Sequence, residues 1–231
     1  MDKNRIEAEQ RKNPFAVLWE LVYNCLYEDI VSGELSPDTK IREAQIASEL
    51  GISRSPVKKA IDALVERGLV ERRKGKAPTV RAMTYEEYLK LYEARYPIET
   101  AAAYTAAKTI SREETRKLEE IVARIQEAAD ASSREEYNKW DSLFHETVIN
   151  STKNPYMIRM YKCISDDLSR YRFHLTRQCY SKNENEFFLR NVGVIHGDIL
   201  RAIKSRNAGW AKEEMANDIQ SMLGTIQRVL F

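Results

Sequence analysis

Residues that break helices are scarce in this chain, which has 8 Gly and 6 Pro in 231 positions. A sandwich or barrel of many short strands needs turn residues at close, regular spacing, and the sequence does not supply them. Cysteines are few: Cys25, Cys163 and Cys179, odd in number and scattered through helical patterns. That argues against a disulfide framework and predicts buried thiols in a reducing cytosol. No stretch approaches the roughly 18 consecutive apolar residues that mark a membrane span, so none is expected. The N-terminal MDKNRIEAEQRKN lacks an apolar core, so no signal peptide is expected, and a cytoplasmic location follows. The net charge of +2 does not by itself point to nucleic acid.

The placement of charge says more than its total. Nine Lys/Arg against three Asp/Glu fall between Arg54 and Arg81, a local +6, so the rest of the chain carries −4. Most segments show a 3.6-residue period. A first helix is expected to start at Asn13-Pro14, with Leu18, Leu21, Val22, Cys25 and Leu26 on one face, and to end near Ser32-Gly33. A short helix from Glu43 to Leu50 follows, broken by Gly51. "LVERR" (69–73) and "PTVRA" (78–82) alternate as two short strands, with "KGKA" (74–77) as the hairpin tip. From Thr84 onward the pattern predicts six helices, at about 84–108, 111–130, 133–151, 154–179, 184–205 and 207–229. Capping boxes are expected at Thr84/Glu87, Ser111/Glu114 and Ser133/Glu136. Asn154-Pro155 and Asn207 mark two further starts.

The segment SRSPVKKAIDALVERGLVERRKGK (53–76) needs an explanation. Proline inside a helix costs about 3 kcal/mol but little in the first turn, where its missing N–H has no partner to lose. Pro56 therefore opens a helix, with Ser53 or Ser55 as cap. Val57, Ala60, Ile61 and Leu64 follow i, i+3, i+4, i+7 and face a core. The opposite face holds Ser55, Lys58, Lys59 and Asp62, with Arg54 at the entry. Such a face can be a solvated surface on a structural helix. It also fits a helix docked end-on in a DNA major groove, its first turn offering N–H groups and a positive dipole end to phosphate. Short helix, Gly turn, basic helix and basic hairpin in that order make a helix-turn-helix with a wing. Lys74, Gly75 and Lys76 sit at the wing tip.

The run IVSGELSPDTKIREAQIASELGISRSPVKKAIDALVERGLVERRKGKAPTV resembles the winged helix-turn-helix of the GntR family of bacterial transcription regulators. It carries I-x-x-G-x-L-x-P, L-G-I-S-R-x-P-V and the L-x-x-x-G-L-V run at family spacing. The resemblance implies that Arg54 and Lys58 read an operator and that Gly75 lies at the wing tip near the minor groove. The family often has Arg where this chain has Lys58, and some members have Arg in place of Ala44.

The second half holds four inward polar residues. Asp141 and His145 lie four apart in KWDSLFHETVIN, among Trp140, Leu143, Phe144 and Val148, and so share a helix face. His196 lies in VGVIHGDILRAI and Asp218 in EEMANDIQSML. Each can be a satisfied core residue; together they suit a divalent transition metal. His174, amid cations, is expected at the surface or a pocket rim. Residues 84–229 resemble the ligand-binding (FCD) domain of the FadR-type branch of the family, through LYEARYPIE, DSLFHETV, IHGDILRAI and WAKEEMANDI. Many members carry a metal on an Asp, a His four residues later and two further His. Asp141, His145 and His196 fall on three of those positions, and the fourth, 22 residues after His196, is Asp218 here instead of His. A Zn, Ni or Mn-like ion is implied. Arg95 matches the effector-pocket arginine, with Glu99 one turn on; the two can also simply brace their helix.

The expected fold is mainly α: an N-terminal winged helix-turn-helix domain (1–82) and a C-terminal all-helical bundle of about six helices (83–231). The expected function is a metabolite-responsive regulator, with repression as the expected sign. It binds a palindromic double-stranded DNA operator as a homodimer and answers to a small organic acid effector. A metal-free regulator with an apolar pocket and a metal-assisted enzyme acting on small carboxylates are the alternatives. The enzyme finds little support, because HETVIN begins like H-E-x-x-H but lacks the second His.

Overall fold

The structure, a computed structural model, describes residues 3–82, 84–181 and 185–230. The side chains of residues 3, 9, 12, 175, 177–193 and 224–230 lie outside that description, the Cys179 thiol among them. The chain divides into two compact units, Met1–Met83 and Thr84–Phe231.

In the first unit, α1 (Lys3–Lys12), α2 (Leu18–Val31), α3 (Glu43–Leu50) and α4 (Arg54–Glu66) precede a hairpin of β1 (Val70–Glu71) and β2 (Thr79–Val80). The apolar stripe of α4, Val57, Ala60, Ile61 and Leu64, is fully buried against Leu21, Val22 and Cys25 of α2 and Ile46 and Leu50 of α3. Gly51 closes α3 at φ +66°, where a Cβ would be strained. Its conformation turns the chain from α3 into α4, and the Ile52 N–H returns to the Ala47 carbonyl. β1 and β2 pair antiparallel, Val70 opposite Val80, and Lys40 adds a third bridge to Thr79. The strands are shorter than their alternating pattern predicts, since pairing reaches only two residues on each side.

Three expectations for this unit need correction. Asn13-Pro14 does not start a helix. The Asn13 Oδ1 accepts from the Phe15 N–H in a turn, and α2 begins only at Leu18, leaving Leu18 38 % exposed rather than inward. The sequence does not announce α1, because Ile6 is the one residue it buries in the core among the described side chains. Ion pairs from Arg5 to Asp29 and Glu28 tie it to α2. Ser53 takes the N-cap position of α4, but its hydroxyl caps no N–H.

The second unit consists, among the described residues, of α5 (Tyr85–Thr109), α6 (Arg112–Asp130), α7 (Arg134–Ser151), α8 (Pro155–Ser181), α9 (Asn185–Lys204) and α10 (Ala208–Leu230). These follow the six expected spans closely. The helix α5 packs against α7, α8, α9 and α10, and so runs through the bundle's interior. Its buried stripe passes from Tyr88, Leu91 and Tyr92 through Arg95 and Glu99 to Ala102, Ala103 and Ala106. The capping boxes at Thr84 and Ser111 form, with both reciprocal bonds present. The one expected at Ser133 does not, because Glu136 instead accepts from Trp140 Nε1 and Lys139. The Asn154 and Asn207 side chains accept from the first-turn N–H groups of α8 and α10. Cys25 is buried as expected, whereas Cys163 is exposed on α8.

Candidate DNA-binding face and candidate ligand centre

Packing the stripe of α4 inward leaves its other face to solvent. Arg54, Ser55, Lys58 and Lys59 are all exposed, as are Lys74, Gly75 and Lys76 at the hairpin tip. With Ser53 not capping, the N–H groups that open α4 are left as donors at the positive end of the helix dipole. Neighbouring cations are drawn back: Arg72 pairs with Glu43 at 3.2 Å and Asp62 at 2.6 Å, and Arg73 with Glu71 at 2.9 Å. Lys59 Nζ lies 4.3 Å over the Trp19 ring, which ties it to α2. Arg54, Lys58, Lys74 and Lys76 have no such ion pair among the described residues. Gly75 has φ +74° with open space around it, so the tip turns tightly and presents bare backbone between two lysines.

In the bundle, four helices bring together the residues singled out from the sequence. Asp141, His145 and His196 are fully buried, and each offers a ligand atom within 4.8 Å of the others. His196 Nε2 lies 3.1 Å from Asp141 Oδ1, and His145 Nε2 lies 4.0 Å from the same oxygen. Asp218 stands beside this triad, its Oδ2 3.5 Å from His145 Nε2 and 3.5 Å from Arg95 Nη2. Phe144 meets both imidazoles edge-on, its ring centre 4.7 Å from that of His196 and 5.6 Å from that of His145.

Three side chains outside the expected ligand set complete it: Glu99, Arg172 and Tyr137. Glu99 Oε2 lies 2.6 Å from His145 Nδ1 while its Oε1 accepts from Arg95 Nε at 2.5 Å. Glu99 thereby orients the His145 ring, turning Nε2 toward Asp141 and Asp218. Arg172 places Nε 2.5 Å from Asp141 Oδ2 and donates from an η nitrogen to the Ser142 hydroxyl at 2.5 Å. Tyr137 donates to Asp141 Oδ1 at 3.1 Å. Arg172 falls on the buried stripe Tyr161, Leu168, Arg172, Thr176 of α8, a spacing that could have flagged it. His174 is half-buried.

The electrostatics follow from this crowding. Burial alone would raise the Asp141 carboxyl, but the Arg172 guanidinium and the adjacent imidazoles hold it well below the usual carboxylate range. Burial likewise opposes ionisation of Glu99, and Arg95 and His145 overcome it, bringing Glu99 to about 2. Burial pushes Tyr137 well up, and neighbouring Asp141 adds to the rise. Two imidazoles with two carboxylates, one imidazole oriented by an acid, form a donor set chemically suited to a divalent transition metal. Arg95 and Arg172, with Tyr88, Tyr92 and Tyr171, also line a cavity of about 10 Å³, room for one water molecule. A small organic acid does not fit it in this conformation.

A family model described as bacterial regulatory proteins, gntR family, matches residues 18–80, and one described as FCD domain matches residues 90–221. Over 216 residues the chain is 26% identical to the HTH-type transcriptional repressor GlaR of Escherichia coli (strain K12), covering 90% of this chain and 95% of the relative. It is 25% identical over 178 residues to the gluconate operon transcriptional repressor of Bacillus subtilis (strain 168), covering 77% of this chain and 72% of the relative. Among solved structures, E. coli McbR/YncC shares the fold with a TM-score of 0.78 at 20% identity, covering 94% of this chain and 100% of that one.

Proposed function

Since the chain belongs to the GntR family of bacterial regulatory proteins, with an FCD domain following its helix-turn-helix, we propose that it is a repressor whose hold on a palindromic operator is set by a small organic acid. It is a DNA-binding transcription regulator, not an enzyme. In the proposed complex two copies place their α4 helices in successive major grooves, half-sites about one helical turn apart. Arg54 and Lys58 then reach base edges and phosphates, and Lys74 and Lys76 reach phosphates beside the wing. Repression as the sign is supported by the names of the relatives. No helix of the described residues is long and apolar enough to cross a membrane, which agrees with the cytoplasmic location proposed here.

Asp141, His145, His196 and Asp218 would hold a Zn, Ni or Mn-like ion, which supplies fixed positive charge beside the cavity when bound. Arg95 and Arg172 are the carboxylate-binding groups at that cavity. An organic acid effector agrees with them and with the relative named for a gluconate operon. For an effector to matter, it must bind one arrangement of the protein better than another. Widening of the one-water cavity around the ligand is the difference that would supply this preference.

The single observation carrying this function is the uncapped, exposed, basic start of α4 beside the two-lysine hairpin tip. Fluorescence anisotropy on the gene's own promoter tests it. Binding should fall steeply with salt and exceed binding to scrambled DNA by on the order of a thousandfold or more. Equal affinity for both duplexes would refute the regulator function. Elemental analysis of the purified protein tests the metal: stoichiometric transition metal supports it, and none, even after loading, removes it.

A further inference from the structure

We propose that Arg95 is a built-in cation that holds the metal centre in reserve and competes with the divalent ion for it, so that metal and anionic effector bind cooperatively. The inference rests on the metal-binding function proposed for the bundle. Three contacts carry it. Arg95 Nη2 lies 3.2 Å from His145 Nε2 and 3.4 Å from its Nδ1, so it stands against the imidazole. The same Nη2 lies 3.5 Å from Asp218 Oδ2. And Arg95 lines the cavity shared with Arg172. Its guanidinium therefore stands against two of the four candidate ligands, His145 and Asp218.

The carboxylate at position 218 gives the arrangement its logic. Two guanidinium groups face three carboxyl groups here: Arg95 and Arg172 against Glu99, Asp141 and Asp218. With His at position 218, Arg95 would have no second carboxylate to neutralise. With Asp, it has one, and a buried carboxylate needs a cation nearby. Either the guanidinium or a divalent ion can meet that need, and both use the same faces of His145 and Asp218. When the ion takes them, Arg95 stays paired with Glu99 through Nε and Nη2, and the Nη2 side released from Asp218 can turn to a carboxylate in the cavity it already lines. The centre then holds an excess of positive charge in a low-dielectric interior, which an anion relieves. Linkage makes the coupling reciprocal: the anion raises metal affinity by the same factor that metal raises anion affinity.

The test measures Zn(II) affinity by competition with a fluorescent chelator, for the full-length parent, Arg95→Met and Arg95→Lys. Removing the competitor should tighten Zn(II) binding about tenfold or more, while Arg95→Lys, which keeps the charge, stays near the parent. Should Arg95→Met fail to fold, Arg95→Met with Glu99→Gln removes the buried pair together and keeps an acceptor for His145, and it should tighten Zn(II) equally. With succinate as the anion probe, the parent should bind it at least about tenfold better when loaded with Zn(II), and Arg95→Met should lose that gain. Unchanged or weaker Zn(II) binding on removal of Arg95, in a parent that binds Zn(II), overturns the competition and leaves the metal site standing. No Zn(II) binding by any variant overturns the metal site itself, and the competition with it.

Discussion

Replacing Asp141 by Asn tests whether the bundle's buried polar centre is held together by opposite charge. The Asp141 carboxylate meets Arg172 Nε at 2.5 Å, His196 Nε2 at 3.1 Å and the Tyr137 hydroxyl at 3.1 Å, all out of solvent. Asn fills the same volume, so packing is kept and the charge alone is lost. Arg172 then remains buried without its counter-charge. Breaking one partner out of a buried pair costs about 3–5 kcal/mol, because the remaining charge keeps its desolvation penalty. For a unit of this size each kcal/mol moves the melting point by roughly 2–4 °C. Calorimetry on chelator-treated full-length protein should therefore show the bundle transition falling by roughly 6–20 °C. Adding Arg172→Met should recover more than half of the fall, because it removes the stranded charge and leaves an apolar chain of similar length. A single variant melting within about 2 °C of the parent, or a double variant worse than the single one, would refute the reasoning.

The N-caps make a graded set: Thr84→Ala and Ser111→Ala should each cost about 1 kcal/mol in urea unfolding, whereas Ser133→Ala, whose hydroxyl caps nothing, should cost only a few tenths. Glu99, held at about 2 against an ordinary 4.5, contributes stability that is full above pH 4.5 and is lost as pH falls toward 2, about 3 kcal/mol in all. The Glu99→Gln variant should therefore show a shallower loss across that window in pH-dependent denaturation of metal-free protein; the parent's slope in the variant would contradict the assignment. Replacing Lys74 and Lys76 together by Ala should lower the slope of log affinity against log salt by about 2 while leaving operator preference largely intact.

The helix-turn-helix was legible because its signals are local. The four-residue stripe of α4 and the glycine at 51 are each set by neighbours a few positions away. The helix α1 was not legible, since one buried isoleucine among its described side chains makes no period and an arginine that ties it to α2 lies 24 positions from its partner Asp29. Ser133 shows the opposite failure. The capping-box spacing is present, yet Glu136 finds Trp140 and Lys139 on its own helix and leaves the cap unmade. The same division holds in the bundle. Asp141 and His145 share a face at i, i+4 and stand out in the sequence. The pairing of Glu99 with His145 and of Arg172 with Asp141 joins separate helices, so no local spacing announces it. Closure of the cavity beside Arg95 depends on how six helices pack, which residue patterns do not encode one at a time.

The central claim is that the exposed start of α4 reads the operator, and promoter occupancy in cells by the Arg54→Ala, Lys58→Ala double variant tests it most directly. Each side chain should be worth about 1–3 kcal/mol at a base edge. At equal protein level, occupancy measured by chromatin immunoprecipitation should therefore drop at least about tenfold, with the bundle's melting point unchanged. Parental occupancy by the folded double variant would contradict the account.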